Sequence, residues 1–111
     1  MYVEVDLSAG PRAVLALRDV ENFRDFKVVA LGGDPGTPAF ADAVSAIGEL
    51  DDDGHAWLST EAVSDLAGAR GTEADWAASF AAMLEYAGAH GFLSEDRARV
   101  RAHCERGDGV T

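Results

Sequence analysis

The chain has one cysteine, one lysine and no glutamine, and it contains no long run of apolar residues. Because Cys104 has no partner for an internal disulfide, the covalent staples of small secreted domains are excluded. No apolar run approaches the roughly 18 residues of a membrane span. The first ten residues lack the basic and apolar segments of a signal peptide. We therefore expect a cytoplasmic protein without a membrane partner.

Positive charge is also scarce. Lys and Arg total 9 against 20 acidic residues, which gives a formal net charge of -11. Such a surface repels the phosphate backbone of nucleic acids through its long-range field. The composition therefore predicts that nucleic acid is not a partner, while acidity alone identifies no specific cationic one.

The 111 residues, 48% of them hydrophobic, suit one domain with one core. We predict a single α+β domain over 1–111, with about the last five residues loose. Strands are expected near 2–7, where apolar and acidic residues alternate, and near 26–31, where the apolar run FKVVAL indicates burial on both faces. Ser8, Pro11 and an apolar stripe from Val14 to Val20 predict a helix between them, giving a β-α-β start.

The remainder is predicted to be mainly helical. Thr37–Pro38 and Ser59–Thr60 are typical helix starts, the second after a short strand at 56–58. Thr72 to Asp75 resembles a capping box. The clearest helix then carries one apolar face and ends near Gly91, with Trp76, Phe80, Met83, Leu84 and Ala87 on that face. Residues 97–103 alternate like a strand, but their Ala and Arg content favours a helix, which we predict.

Two strands make no stable sheet, and FKVVAL is too apolar for an open edge. Two alternatives follow from this. The short segments HAWL and GFL, which contain Trp57–Leu58 and Phe92–Leu93, join the sheet, or a second copy of the chain does. A symmetric homodimer is the consequence of the second alternative.

The stretch DDDGHAWLSTEA, Asp51 to Ala62, resembles an EF-hand loop read from its first position. Asp51, Asp53 and Ser59 would be the calcium ligands at positions 1, 3 and 9. However, His55 stands where an oxygen is needed, and Ala62 stands where a bidentate glutamate is needed. A helix end followed by an Asp-Gly turn explains the same residues, so no metal is expected.

Other chemistry has few candidates. LGGDPGT lies between a predicted strand and a predicted helix, but it lacks the P-loop lysine. The histidines and Cys104 show no metal-ligand spacing, and no cofactor is expected. Asp34, His55 and His90 are the candidate binding residues of a pocket between sheet and helices. Four arginines lie close together, either as a docking surface for acidic groups or paired with nearby acids: Arg97, Arg99, Arg101 and Arg106.

The C-terminal half resembles small uncharacterised actinobacterial proteins. The residues that carry the resemblance are a Trp-x3-Phe-x2-Met-x2-Tyr-Ala helix, a Gly-aromatic pair and an Arg-Ala-His ending, here Trp76, Phe80, Met83, Tyr86, Ala87, Gly91, Phe92 and Arg101 to His103. The resemblance covers about half of the chain and implies no catalytic residue. It implies only that this segment forms a unit.

Three functions remain open. The absence of a nucleophile, metal or phosphate signature favours a non-catalytic binding or protein-interaction module over an enzyme. The second is a small enzyme or small-molecule-binding protein that uses Asp34, His55 and His90. The third is a degenerate EF-hand-like helix-loop-helix that binds no calcium, which requires Trp57–Leu58 and Phe92–Leu93 to form facing strands.

Overall fold

A computed structural model describes residues 1–8, 13–24 and 26–107. Its strands, in chain order, are β1 (Tyr2–Asp6), β2 (Val14–Arg18), β3 (Lys27–Leu31), β4 (Gly48–Leu50), β5 (Ala56–Ser59) and β6 (Arg99–Arg106). Its helices are α1 (Pro38–Val44), α2 (Thr60–Leu66) and α3 (Ala74–Ala89), with a 3-10 helix at Gly68–Thr72. The strands form one sheet in the order β2-β1-β3-β6-β5-β4.

The first three strands form one side of the sheet. β1 pairs antiparallel with β2 and parallel with β3. The predicted helix over Val14 to Val20 is therefore wrong, and its Pro11 part lies outside the described residues. The segment VLALR forms a strand because its core-facing and solvent-facing side chains alternate: Leu17 faces the core, whereas Val14 and Arg18 face solvent.

β6 joins the two sides of the sheet. It runs parallel to β3, where Lys27 pairs with His103, and antiparallel to β5, where Leu58 pairs with Val100. The predicted helix over 97–103 is therefore wrong, as is the mainly helical C-terminal portion that included it. Val100 and Ala102 are buried on one face while Arg99 and His103 point outward, so the period of two outweighs the helical propensity of Ala and Arg.

β3 is a central strand, as its apolar sequence predicts. Val28 and Ala30 are fully buried, and Val29 nearly so. β1 and β6 cover its two edges. The first alternative is nevertheless confirmed in part, because most of HAWL lies in β5 and Leu93 bridges Val100, so both short segments join the sheet beside β6. The reason for expecting a homodimer is thereby removed, and the dimer stays a prediction without that support.

The segments around Trp57 and Phe92 do not face each other. β5 holds Trp57–Leu58 on one side of β6, whereas Leu93 bridges Val100 from the other side. Backbone hydrogen bonds from Arg101 N to Phe92 O (2.7 Å) and from Ser94 N to Arg99 O (2.9 Å) hold this second contact. The pairing that a degenerate EF-hand requires is therefore absent.

One face of the sheet forms the core. The inward residues of the strands, such as Val3, Val28, Leu58 and Val100, are buried in one cluster with side chains of all three helices. α3 contributes its predicted apolar face, and the Nε1 of its buried Trp76 donates to the backbone oxygen of Val20 at 2.8 Å. None of the described residues classed as buried is polar or charged. The opposite face of the sheet thus carries the polar chemistry.

Most predicted helix ends are confirmed. The hydroxyls of Thr37 and Ser59 accept hydrogen bonds from Phe40 N (3.3 Å) and Ala62 N (3.1 Å) at the starts of α1 and α2. α3 ends in a Schellman motif: Gly91 has φ of 79°, and Phe92 N bonds Ala87 O at 2.8 Å.

The capping box at Thr72 is wrong. Glu73 is the N-cap residue of α3 and makes no side-chain cap. Arg70 instead bridges Glu73 and Asp75, at the start of α3, to Glu21 in the β2–β3 connection.

Two further predictions concern membrane-spanning helices and the C-terminal tail. Among the described residues no helix has both the length and the apolarity to cross a bilayer. Of the tail expected to be loose, 108–111 lie outside those residues, whereas Gly107 N bonds Ala30 O at 2.8 Å.

Two residues on opposite faces of β6 provide a test of the strand. Val100→Ala should lower the free energy of unfolding by about 2 kcal/mol, because a buried side chain is truncated. His103→Ala should change it by less than about 0.5 kcal/mol, because that side chain points outward. Urea unfolding followed by tryptophan fluorescence measures both values, and equal losses would contradict the strand.

Candidate functional site

The outward face of the sheet is crossed by ion pairs between neighbouring elements. On this face Arg18 pairs with Glu4 (3.3 Å) and Arg99 pairs with Glu49 (2.5 Å). Beside the sheet, Arg97 in the turn before β6 pairs with Glu85 of α3, and Arg106 at the end of β6 pairs with Asp34 in the β3–α1 connection (3.1 Å). The predicted pairing of Arg97, Arg99 and Arg106 with acids near them in sequence is wrong, because these partners are distant. The alternative, a docking surface for acidic groups, stays a prediction. Most of the pairs are exposed, so each contributes little to stability.

The turn between β4 and β5 is organised by Asp51. Its Oδ1 accepts backbone hydrogen bonds from Asp53 N and His55 N, both at 2.9 Å. Its Oδ2 accepts from Trp57 Nε1 at 3.1 Å. Gly54 adopts φ of 80°, a left-handed conformation that favours glycine. The acidic run DDDG is therefore a hairpin turn whose first carboxylate binds the backbone of the turn itself.

These contacts make Asp51 a stronger acid. Its pKa is lowered chiefly by the backbone hydrogen bond from His55, with further contributions from Trp57, Asp53 and Arg101. Because the pKa is lower in the folded chain than in the unfolded one, ionised Asp51 stabilises the fold above the ordinary range near 4. That contribution is lost as the pH falls through the folded value.

Asp51→Asn should lower the melting temperature by several degrees at pH 7, because the amide nitrogen would oppose Trp57 Nε1 or a backbone donor. Asp52→Asn, which makes the same charge change in the same turn, should have little effect. The difference between Asp51→Asn and the wild-type chain should begin to shrink as the pH falls below about 4 and vanish only below the lowered pKa of the folded chain, where Asp51 is protonated in both states. Thermal unfolding followed by circular dichroism from pH 3 to 7 measures it, and a pH-independent difference would contradict this role.

The calcium candidates do not form a cation site. Residues 51–55 connect two strands, so the expected helix before the turn is wrong: α1 ends at Val44 and β4 intervenes. Asp51 is occupied by protein donors, and Asp53 Oδ2 lies 3.7 Å from Arg101 Nη2. Ser59 caps α2 at the far end of β5. No group of three or more His, Cys, Asp or Glu side chains suited to a metal occurs within 1–8, 13–24 and 26–107.

Arg101 occupies the point where β6 passes this turn. Its Nη2 lies 3.0 Å from His55 Nδ1, and because a guanidinium only donates, that ring nitrogen must accept. Asp51 Oδ2 lies 3.5 Å from its Nε, near enough for attraction but outside hydrogen-bond geometry. The Nε is shielded from solvent and makes no hydrogen bond to any described residue. The acidic turn therefore orients the guanidinium without saturating it.

A groove opens beside Arg101 where β6 extends past the start of β3. Two adjoining cavities, of about 270 and 200 Å³, share Phe26, Phe92 and Arg101 as walls. We call this region the Phe26–Phe92 groove. The smaller cavity adds His55 and His103; the larger adds Phe23, Arg24, Met83, Tyr86, Ala87 and Val100. Together they reach the lower end of the roughly 300–1,000 Å³ typical of small-molecule sites.

Exposed aromatic surface extends from the groove. Phe92 is 42% and Tyr86 67% exposed, which are high values for large apolar side chains. The His90 ring lies between them, with centroids 4.4 Å from Tyr86 and 6.2 Å from Phe92. This cluster follows from the Schellman end of α3, because Gly91 turns the chain and aligns Phe92 with β6.

The three predicted binding residues separate into two places. His55 lines the groove, and His90 contacts the ring of Phe92 at its rim. Asp34 pairs with Arg106, which lies five residues beyond Arg101 on β6, or roughly 17 Å along the strand. The structure therefore does not assemble Asp34 with the two histidines.

The sequence interpretation missed the residues that define the groove. The prediction places Arg101 in a helix as one of four arginines, and it places Phe26 and Phe92 in strand segments, so nothing in it brings the three together. The alternation RARVRAH carried the signal, because as a strand it places Arg101 and His103 on one face beside His55.

Cys104 lies on the other face of β6, against the core. Burial raises the pKa of its thiol to about 11, because desolvation disfavours the thiolate. The thiol is thus poorly suited to nucleophilic chemistry.

Labelling of Cys104 provides a further test. At pH 8 the folded chain should react with 5,5′-dithiobis(2-nitrobenzoate) at least about a hundredfold more slowly than the urea-unfolded chain, because few molecules carry a thiolate. Absorbance at 412 nm follows the reaction, and equal rates would contradict the burial.

Comparison of the chain with protein-family models, with curated proteins and with solved structures produced no match. The resemblance to actinobacterial proteins therefore stays a prediction, and the chemistry of the groove has to be inferred from its own residues.

Proposed function

We propose that the protein is a non-catalytic binding domain whose ligand occupies the Phe26–Phe92 groove. The observation that carries the proposal is that Arg101, Phe26 and Phe92 together line two adjoining surface cavities. Binding sites typically combine apolar walls with a few oriented polar groups, and this groove has both.

The orientation of Arg101 supports a binding role. Asp51, Asp53 and His55 hold the guanidinium from the side of the hairpin turn. A side chain fixed in this way loses less conformational entropy on binding a ligand than a free surface arginine does. The structure of the turn therefore contributes to the site, although none of the turn carboxylates lines the groove.

The aromatic surface supports the same role. Exposed Phe92 and Tyr86 on either side of His90 form a cluster that is costly in water, and such clusters mark interaction sites more often than isolated apolar residues do. The cavity volumes favour a small molecule over a folded partner. Since Asp34 stands apart from the histidines, the enzyme that would use Asp34, His55 and His90 together has less support.

Binding of aromatic fragments would test the proposal. We expect indole, benzamide and benzoate, added separately to isotopically labelled protein, to perturb amide resonances at Phe26, Phe92 and Arg101. Phe92→Ala should weaken the binding of the best fragment about three- to tenfold, because one aromatic wall is lost. Two-dimensional nuclear magnetic resonance titration gives the dissociation constants.

Val14→Ala is the matched control. Val14 is 53% exposed and lies on edge strand β2, so its truncation also removes exposed apolar surface, but away from the groove. It should leave fragment affinity unchanged. Perturbations scattered over the surface, or equal losses in both variants, would contradict the proposed site.

A further inference from the structure

The charges around the Phe26–Phe92 groove differ from those of the chain as a whole. The chain has 20 acidic residues and 9 Lys and Arg residues. Nevertheless, the ionisable side chains that line the groove among the described residues are bases, tyrosine apart: Arg24, Arg101, His55 and His103. A locally basic cleft on an acidic protein is complementary to an anion, and the surrounding charge would repel anions from the rest of the surface.

The hydrogen-bonding groups of the groove also suit an anion, because they are donors. A guanidinium has donors and no acceptor. Because Arg101 donates to His55 Nδ1, a neutral His55 carries its hydrogen on Nε2 and is a second donor. The Nε faces Asp51 and is shielded from solvent, whereas the side chain as a whole is 26% exposed, so the donors for a ligand are the terminal nitrogens of the guanidinium. The groove therefore offers donors to a ligand that has to supply acceptors.

The geometry points to a small aromatic carboxylate as the ligand class of this groove, an inference that rests on the proposed binding function. The planar body lies between Phe26 and Phe92, and the carboxylate accepts hydrogen bonds from Arg101. Planar two-oxygen acceptors match the guanidinium fork, whereas an amide presents one acceptor and two donors. Asp51 and Asp53 partly offset the charge of Arg101. The preference for a carboxylate over an amide therefore arises from directed hydrogen bonds and from the charge of Arg24 as well as from net charge.

A pair of isosteric probes tests this inference. We expect 2-naphthoate to bind the wild-type chain about tenfold more tightly than 2-naphthamide at pH 7, because hydrogen bonds to a charged group are stronger than those to a neutral one. Arg101→Met should abolish the preference, because it should lower the affinity for the acid far more than the affinity for the amide. Isothermal titration calorimetry measures both ligands on each variant.

Because Arg101→Met also removes contacts with the hairpin turn, a second variant tests the preference while those contacts are kept. Arg24→Gln removes a charge from the other wall without touching the turn, and it should reduce the preference about two- to threefold. Arg18→Gln, at an exposed arginine on edge strand β2, is the matched control and should retain the full preference. Circular dichroism of each variant confirms that the fold is kept.

The outcomes separate the two proposals. Equal affinities for the acid and the amide, both weakened by Phe92→Ala, would overturn the carboxylate inference and leave the groove as a binding site. A carboxylate preference that Arg18→Gln reduces as much as Arg24→Gln would also overturn it, because general surface charge would then be the cause. If neither probe binds and the fragments also fail, both proposals are wrong.

Discussion

The parallel pairing of β3 with β6 is the contact on which the rest of the molecule depends. β1, β2 and β3 form one unit and β4 and β5 another, and no strand of the first unit pairs with a strand of the second. β6 joins them by running parallel to β3 along one stretch and antiparallel to β5 along another. It also buries Val100 and Ala102 beneath the helices, so the same residues connect the sheet and complete its core.

The offset between these two pairings creates the groove. β6 pairs with β5 over residues 99–102 and with β3 over residues 103–106. Beside residues 99–101, the neighbour on the β3 side is the short segment around Phe92 and Leu93 rather than a full strand. Phe26 and Phe92 therefore meet at a gap in the sheet, and Arg101 projects beside it. A site at such a gap combines a rigid backbone with exposed side chains, which favours specific binding.

Sequence patterns identified those elements whose signals are local. The helix from Trp76 to Ala87 has a continuous apolar stripe, and the starts at Thr37 and Ser59 have side chains that cap the backbone directly, so each could be predicted. The segments 14–18 and 99–106 could not be assigned correctly, because their propensities conflict with their alternation. Only the neighbouring strands decide that conflict. The candidate site is affected by the same error, since the prediction groups His55 with Asp34 and His90, whereas its contact with Arg101 requires β6 to be a strand.

The position of β6 in the chain also has a consequence for folding during synthesis. Until residues 99–106 have left the ribosome, β3 and β5 each have one uncovered edge, and the inward faces of both units lack a shared core. Such edges can recruit strands from other chains, and pairings distant in sequence form slowly. The surplus of negative charge is already present on the incomplete chain, where mutual repulsion opposes association between nascent copies. The acidity of the sequence therefore protects the chain during the interval before its last strand arrives.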